Sequence, residues 1–271
     1  MTNYCILPRA ILRITGDNAA KFLQALITND IYSNTTIYAM MLSATGRYAL
    51  DFFITNVSNG YILETDITTL SALILRLRLY RMRSKVEIED ITDKYQVIYS
   101  REKIDIDSLC TYQDPRFNKM GFRAVTLKEY SKNSISTDLY TEDKYLYAIP
   151  DGNTDLIPDK SMPQEYGMDH LNAISYSKGC YLGQEVICRT KTQGVIRKQI
   201  FKITSDVSLQ SIEHGTPILA DKDKIGILCS SHNNCGISLI RTEDYVTKKQ
   251  MHLTIAGIPI TLHVPEWVNN I

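Results

Sequence analysis

Residues 175–185, SYSKGCYLGQE, carry the most distinctive pattern of the chain. Gly179 and Gly183 bracket Cys180, so the backbone there can turn sharply and approach a ligand closely. The residues that follow favour a short helix, which would place the cysteine just before a helix N-terminus with Lys178 nearby, and both neighbours favour thiolate over thiol. Cys180 is therefore a candidate reactive cysteine, although free cysteine is also common as a small buried residue.

Length and charge define the broad class of protein. A chain of 271 residues fits two or three compact domains. Thirty Lys and Arg residues balance thirty Asp and Glu residues, so no overall field draws the protein to nucleic acid or to an anionic membrane, and we expect direct binding to neither. The N-terminal residues lack the apolar run of a signal peptide, and no stretch is long enough for a spanning helix. We therefore predict a cytoplasmic protein.

The six cysteines are scattered, without the spacing of a disulfide scaffold, so we expect them to be reduced. The tightest group is CSSHNNC at 229–235, which contains His232 and offers three possible soft ligands. Its flanks are typical of two strands joined by a turn, and no second half-site follows. We predict no metal site.

Hydrophobic periodicity predicts an N-terminal helix followed by antiparallel strands. Apolar residues recur at helical spacing from Ala19 to Leu26, and the segments YAMML, RYALDFFITNV and YILETDI alternate as strands do. The polar segment 131–144 is typical of a loop. PQEYGMDHLNAIS, which contains His170, favours a short helix leading into the cysteine motif.

Residues 68–83 form the most regular predicted helix, and its second half is rich in arginine. Leu70, Leu73, Ile74 and Leu77 share one face. Two interpretations remain open. The cations complement the helix dipole and keep one face solvated, or they bind carboxylates or phosphates.

The segment from 196 to 271 contains only predicted strands and turns, which indicates a separate small barrel or sandwich. We place the domain boundary there, with an α+β region at 1–195. No phosphate loop and no G-x-G-x-x-G pattern occurs, so nucleotide chemistry has no support in the sequence.

KGCYLGQE closely resembles the K-G-C-[YF]-x-G-Q-E motif of the YgfZ family, folate-binding proteins related to the aminomethyltransferase (T-protein) of the glycine cleavage system. The resemblance covers nearly the whole chain. Further matching segments, in chain order, are KFLQALITNDI, LRLYRMRSKVEIED, DPRFNKMGFR, MPQEYGMDHLNAIS, RTKTQGVIRK and HGTPILADKDKIGILCSS.

The resemblance implies an α+β, aminomethyltransferase-like folate-binding fold, with two α+β parts around a central channel and a C-terminal β-barrel. It also implies tetrahydrofolate or another reduced folate as the cofactor, and a role in assembly or repair of iron-sulfur clusters, notably in enzymes that thiolate transfer RNA. Cys180 takes the place of the required thiol, and Lys178 beside it is the second predicted catalytic residue.

Folate chemistry indicates which other residues to consider. A pterin ring needs flat apolar faces and edge hydrogen bonds, whereas a glutamate tail needs cations. The predicted folate contacts are Asp51, Tyr181, Gln184, Glu185, Arg189, Arg197 and Arg83. Structural roles would explain several of these residues equally well. The arginines could be solvated surface charges, Tyr181 could be a core tyrosine, and Glu185 could simply favour the start of a helix.

The chain departs from the family pattern at two places. Lys144 and Ala148 stand where relatives often carry Arg and Gly, and lysine lacks the bidentate fork of arginine. The transferases typically show an acidic pair after a Gly-Gly turn, whereas this chain keeps the single carboxylate of Asp51.

Three functions follow. The first is a folate-dependent accessory factor whose Cys180 contacts a cluster, a persulfide or a partner thiol. One cysteine cannot hold a cluster that ordinarily takes four, so the contact is transient or shared with client or assembly proteins. The second is aminomethyl transfer to tetrahydrofolate, and the third is a transfer-RNA-binding module on the basic helix.

Overall fold

The computed structural model describes residues 3–82, 84–129 and 138–268. A five-stranded antiparallel sheet, sheet 1, has the order β3-β4-β5-β2-β6. Its strands are β2 (Arg9–Thr15), β3 (Thr36–Leu42), β4 (Tyr48–Val57), β5 (Gly60–Asp66) and β6 (Glu87–Asp90). A four-stranded antiparallel sheet, sheet 2, has the order β1-β7-β9-β8. Its strands are β1 (Cys5–Leu7), β7 (Tyr95–Ser100), β8 (Cys110–Gln113) and β9 (Phe122–Leu127).

Sheet 1 is buried on both faces because it lies between two hydrophobic cores. Successive residues of a strand point to opposite faces, and on β2 Ile11 joins the core shared with sheet 2 whereas Leu12 joins the core beneath two helices. Those helices are α1 (Ala19–Gln24) and α2 (Leu70–Arg81), the latter preceded by a 3-10 turn at Ile67–Thr69. Leu73 and Leu77 of α2 are fully buried, as the sequence predicts.

Two predicted segments differ in the structure. Part of the segment predicted to be a loop forms helix α3 (Leu139–Tyr147), whose first turn is capped by Asp138; residues 131–137 lie outside the described ranges. Hydrophobic periodicity does not predict this helix because charged side chains of α3 are among those that point into the protein. The helix predicted from Pro163 shrinks to a 3-10 turn at Pro163–Tyr166, and His170 lies in turns after it. Helix α4 (Gln184–Gln193) follows the cysteine motif, as predicted.

The C-terminal strands form a seven-stranded sheet of order β15-β14-β11-β12-β13-β10-β16. They are β10 (Lys198–Thr204), β11 (Pro217–Ala220), β12 (Asp223–His232), β13 (Cys235–Arg241), β14 (Leu253–Ile255), β15 (Ile258–Pro259) and β16 (Thr261–His263). The two edge strands β15 and β16 are separated by one residue of sequence, so the sheet curls back on itself into a nearly closed barrel. A helix that the sequence did not predict, α5 (Thr242–Lys248), follows β13.

The barrel has its own core and also contacts the rest of the chain. Phe201, Ile218 and Ile240 lie inside the barrel. Ile200, Ile237 and Leu239 join instead the core between sheets 1 and 2. The predicted α+β fold with a C-terminal barrel is confirmed. Within the described ranges, no helix has the length and apolar character needed to cross a membrane.

Candidate functional site

The loop that carries Cys180 is fixed by contact between two glycines. Gly183, the residue before α4, has φ of 80°, and a Cβ on it would lie 2.6 Å from the carbonyl oxygen of Ser43 and 3.1 Å from the Cα of Gly46. Gly46, in the turn between β3 and β4, has φ of 71°, and its Cβ would lie 2.7 Å from the Cβ of Val186. Only glycine fits both positions, so α4 starts directly on the β3–β4 turn.

Cys180 itself is exposed, and its thiol is free. A Cβ added to the preceding Gly179 would meet no atom within 4 Å, so the loop faces open space at this point. Other cysteines are in different surroundings: burial raises the pKa of the Cys5 and Cys229 thiols, and raises that of Cys110 to about 12. Cys180 is therefore well placed to meet a partner molecule.

Lys178 holds this loop against helix α1. Its ammonium donates to the carbonyl oxygens of Gln24 (2.7 Å), Ile27 (2.6 Å) and Asn29 (2.8 Å). Burial lowers the pKa of Lys178 to about 8, with Asp30 acting in the opposite direction. Because the ammonium donates to these three carbonyls, Lys178 acts as a positioning residue for the loop, and the catalytic role predicted from the sequence stays a prediction.

Unpaired polar atoms lie in the segments on either side of the cysteine loop. The hydroxyl of Tyr181, Oε1 of Gln164 and Oδ1 of Asp169 are buried without a hydrogen-bond partner among the described residues. The hydroxyl of Tyr176 donates to the other oxygen of Asp169 at 3.2 Å. Buried polar groups are nearly always satisfied, so this region has unused capacity for water or a ligand.

A cavity of about 490 Å³ opens beside the cysteine loop, and we call it the tyrosine cavity. It is lined by Asn29, Ser33, Asn34, Thr36, Ile37, Tyr38, Pro115, Asn172, Ile174, Ser175, Tyr176 and Ser177. Cys180 is not one of these lining residues, but Ser177 stands three positions before it. The cavity has the size of a small-molecule site.

Behind the cavity, the interior contains a chain of ion pairs that we call the ionic cluster. Its members are Arg9, Glu64, Asp114, Arg116, Arg123, Lys144, Asp151 and Asp155. It crosses from sheet 1 to sheet 2, then to α3 and the loop after it, and the hydroxyl of Ser230 joins it from the barrel. The cluster therefore connects all three parts of the fold.

The central members of the ionic cluster are the arginines of the DPR element, which are almost fully buried. Arg116 donates to Asp114 at 2.7 Å and to Asp151 at 2.9 Å. Arg123 donates to Asp114 at 3.1 Å and pairs with Glu64. Burial alone would raise the pKa of Asp114, but the two guanidiniums outweigh it and lower that pKa.

Lys144 continues the chain of pairs, 2.9 Å from Asp155 and 3.4 Å from Asp151. The lysine that departs from the family pattern therefore keeps a structural role here, as the partner of two carboxylates. Burial by itself would raise the pKa of Asp151, yet Lys144 and Arg116 together lower it. Lys144 and the two carboxylates therefore satisfy one another through direct contacts.

Asp51 lies beside the ionic cluster without an ion pair of its own among the described residues. Its carboxylate accepts from the hydroxyls of Tyr48 (2.7 Å) and Tyr38 (2.8 Å). Burial raises the pKa of Asp51, partly offset by Arg9 and Tyr48. The backbone at Gly152 is so close that a Cβ there would lie 1.8 Å from Oδ1 of Asp51. The carboxylate is thus covered by the loop after α3.

The structure does not gather the predicted folate contacts into one site. Tyr181 is buried and Gln184 half-buried, whereas Glu185, Arg189 and Arg197 are exposed on α4 and the linker to the barrel. Arg83 lies outside the described residues. None of these residues lines the tyrosine cavity, and their contact with a folate stays a prediction.

Sequence reasoning missed the ionic cluster as a unit. The DPR element resembles a family motif, but the sequence predicts no role for Asp114, Arg116 or Arg123. The local signal is weak: of the two arginines only Arg123 lies on a strand, between Phe122 and Ala124, and such alternation is more typical of a solvent-facing charge than of a buried one. The residues of the tyrosine cavity gave no comparable signal.

Similarity to solved structures identifies the class of fold. The glycine cleavage system aminomethyltransferase T from Bartonella henselae superposes with a TM-score of 0.76, covering 98% of this chain and 86% of that chain. At 11% sequence identity this likeness shows the fold alone. A family model described as the CAF17 C-terminal beta-barrel domain matches residues 197–270.

Sequence relatives identify the family. The human iron-sulfur cluster assembly factor IBA57, mitochondrial, is 30% identical over 297 residues, covering 96% of this chain and 83% of the relative. The mouse protein of the same name is 28% identical with the same coverage. The homolog from Pyricularia oryzae is 30% identical, covering 71% of this chain and 54% of its own length. The chain belongs to the IBA57 family.

The predicted compartment is wrong. All three relatives are named as mitochondrial proteins, which conflicts with the prediction of a cytoplasmic protein. Cysteines without disulfide spacing indicate a reducing environment, but more than one compartment provides it. They carry no information on which one it is.

Proposed function

We propose that this protein acts in iron-sulfur cluster assembly, with Cys180 as the thiolate that contacts the cluster. The exposed, free thiol on a glycine-fixed loop is the observation that carries the proposal. Membership in a family whose named relatives are iron-sulfur cluster assembly factors supports it. Thiolate sulfur is the usual ligand of cluster iron, and an accessible cysteine can reach a cluster held by another molecule.

The chemistry proposed for Cys180 is ligand exchange. The described residues contain no group of three or more His, Cys, Asp or Glu side chains placed to hold a metal ion. A cluster normally takes four thiolates, so Cys180 supplies one and a partner supplies the others. In the exchange, the Cys180 sulfur forms a bond to iron as one partner thiolate leaves and takes up the proton that Cys180 lost. No electron transfer is needed.

We further propose that a reduced folate binds in the tyrosine cavity, a placement that differs from the residues predicted from the sequence. The partly exposed ring of Tyr176 suits a pterin ring, and the hydroxyl and amide groups of the cavity suit its polar edge. When bound, the folate would supply one-carbon or redox chemistry. Enzymes that thiolate transfer RNA are proposed clients, an expectation that rests on the YgfZ resemblance.

Complementation tests the role of Cys180. Cells that lack their own copy of the gene receive the wild type, Cys180→Ser or Cys188→Ser at matched protein levels, and the activity of their iron-sulfur enzymes is measured. Cys188, on α4, is the half-buried control cysteine. We expect the control to restore activity and Cys180→Ser to restore less than about a tenth of it. Full restoration by Cys180→Ser would exclude the proposed role.

Anaerobic titration with tetrahydrofolate tests the cavity separately. Tyr176→Ala removes one face of the tyrosine cavity and should weaken binding at least tenfold, whereas Arg197→Ala, on the exposed linker, should not. Equal binding by wild type and Tyr176→Ala, or no binding by the wild type, would exclude the cavity as the folate site and leave the role of Cys180 standing.

A further inference from the structure

Helix α2 presents a second apolar stripe on the side away from sheet 1. Leu75, Leu79 and Met82 are 70%, 67% and 85% exposed. Leu75 and Leu79 stand at positions i and i+4, which lie above one another on a helix, and Met82 is the first residue past the helix end, where its φ of 39° breaks the helical repeat. The opposite face of the same helix is buried through Leu73 and Leu77. Two exposed leucines on one helical stripe, followed at the helix end by an exposed methionine, are typical of a binding surface.

Arginines flank this stripe on both sides. From the helical repeat, Arg76 lies on one side, and Arg78 and Arg81 lie on the other. Among the described residues, none of the three forms an ion pair or a side-chain hydrogen bond. This contrasts with the arginines of the ionic cluster, which are all paired. The α2 outer face, defined as these six residues, is therefore apolar along its centre and positively charged along its edges.

A groove lies between α1 and α2, and because its α2 wall is Tyr80, one turn after Arg76, it borders the Arg76 edge of the α2 outer face. It has a volume of about 490 Å³ and is lined by Asn18, Lys21, Phe22, Ala25, Leu26, Tyr80 and Ser84. Phe22 and Leu26 form an apolar floor, and Lys21 adds a cation at the edge. The groove is concave, so it can accept a side chain that projects from a partner.

Helix α1 connects this groove with the cysteine loop. Ala25 and Leu26 line the groove, while the carbonyls of Gln24 and Ile27 on the same turn accept hydrogen bonds from Lys178. Lys178 stands two residues before Cys180. A partner seated in the groove would therefore lie next to the segment that positions the exposed thiol.

We propose that the α2 outer face and the adjoining groove bind an acidic amphipathic helix of the protein that exchanges clusters with Cys180. Apolar side chains of that helix would cover Leu75, Leu79 and Met82, and its carboxylates would pair with the unpaired arginines. This inference rests on the proposed function, because it names the chemistry of the partner for the same thiol.

A protein helix fits this surface better than a lipid bilayer does. The groove is a local depression, which a projecting side chain can fill and a flat membrane cannot. Arginine and methionine are enriched in protein interfaces, and the planar guanidinium pairs with carboxylates through two parallel hydrogen bonds. The balanced net charge of the chain also gives no general attraction to anionic lipid.

Binding of a designed peptide to the full chain tests the surface. The probe is a labelled helical peptide with Leu at i, i+4 and i+7 and Glu at the flanking positions; its control carries Lys in place of Glu. We expect the Glu peptide to bind, and Leu79→Glu and Arg78→Glu each to weaken it at least tenfold. Val246→Glu, at a 63% exposed position on α5, should have no effect. All three sites are exposed, so folding should survive.

The same measurements define the results that would overturn the proposal. Failure of the Glu peptide to bind, equal binding of the Lys peptide, or equal weakening by Val246→Glu would each exclude a specific acidic-helix site. Phosphatidylserine vesicles are tested in parallel. If they bind wild type but not Leu79→Glu, while the Glu peptide does not bind, the face is a membrane surface instead.

Complementation separates this proposal from the function on which it rests. We expect Leu79→Glu, like Cys180→Ser, to fail to restore iron-sulfur enzyme activity, and Val246→Glu to restore it. That result would mean that the docking surface is needed for the function of Cys180. Full restoration by Leu79→Glu together with failure of Cys180→Ser would overturn the docking surface and keep the function. Full restoration of enzyme activity by Leu79→Glu and by Cys180→Ser would overturn the docking surface and the proposed function of Cys180.

Discussion

The ionic cluster and the Cys180 loop are two regions with equally conspicuous sequences and opposite physical states. In the cluster, the guanidiniums of Arg116 and Arg123 are buried and paired with carboxylates. In the loop, the thiol of Cys180 is exposed and free. In this protein the charged residues of the DPR element pair with one another and connect parts of the fold. The thiol of Cys180 has no such structural partner among the described residues, so it is the group available for chemistry.

Removing a cation from the ionic cluster should have the largest effect on stability. Arg116→Met leaves Asp114 and Asp151 buried with less compensation, and such a break costs about 3–5 kcal/mol. Urea unfolding followed by circular dichroism measures it. Lys119→Met, three residues away at an exposed ion pair, is the matched control and should leave the midpoint unchanged. Equal midpoints for the two variants would mean that the cluster does not hold the fold together.

Lys178→Met should have the next largest effect. It leaves three carbonyls at the end of α1 without their donor, and buried unsatisfied groups cost about 1–3 kcal/mol. The control variant is Lys191→Met, because the ammonium of Lys191 is half-exposed in the wild type. We expect a loss of about 2 kcal/mol for Lys178→Met, and faster alkylation at Cys180 if the loop loosens. No change in unfolding would contradict the positioning role.

The pH dependence of stability should reveal the paired carboxylates. The pKa values of Asp114 and Asp151 are lowered in the folded state, so their stabilising contribution is complete above the unfolded value of about 3.9 and is lost as pH falls below it. Stability should therefore fall steeply below about pH 4. Arg116→Met should flatten this fall, and an unchanged slope would argue against the pairing.

Asp51→Asn should have a smaller effect of opposite sign. Because burial raises the pKa of Asp51 in the folded state, its charge costs stability above the unfolded value, and stability attributable to this group falls as pH rises through the folded pKa. The amide removes that cost and can still hydrogen-bond the hydroxyls of Tyr38 and Tyr48. At pH 7 we therefore expect a gain in stability. A clear loss of stability in urea unfolding would contradict this.

Cys180→Ser should change stability least, by under about 0.5 kcal/mol, because the side chain is exposed and makes no contact that holds the fold. The same substitution should have the largest effect on function. Thermal unfolding compares it with Cys229→Ser, which places a hydroxyl in a buried site and should destabilise. A destabilised Cys180→Ser would mean that the thiol is structural.

Periodicity predicted the elements whose apolar residues face the core. Helix α2 and the strands β3 to β5 follow this rule, and so do the barrel strands. The sequence did not reveal α3, because its buried face carries Asp143, Lys144 and Tyr145 and so reads as polar. That face can be buried because its charged side chains form ion pairs with residues distant in sequence. The local sequence pattern of α3 does not encode those partners.

The candidate site was predicted in part. The motif and the helix after it could be predicted from local sequence, because glycines at 179 and 183 favour a turn and the residues after Gly183 favour a helix; the structure adds that Gly183 has φ of 80°. The role of Lys178 could not, since its three carbonyl partners lie about 150 residues away in the chain. The tyrosine cavity is formed by residues from distant segments. Each of these features depends on tertiary contacts that spacing alone does not encode.

The most direct test of the central claim is ligand exchange with a glutathione-ligated [2Fe-2S] complex under anaerobic conditions. The protein is mixed with the complex and desalted, and protein-bound cluster is measured by visible circular dichroism and by EPR after reduction. We predict that wild type and Cys188→Ser retain cluster, with glutathione completing the ligand set, and that Cys180→Ser retains less than about a tenth as much. Equal retention by Cys180→Ser would contradict the account.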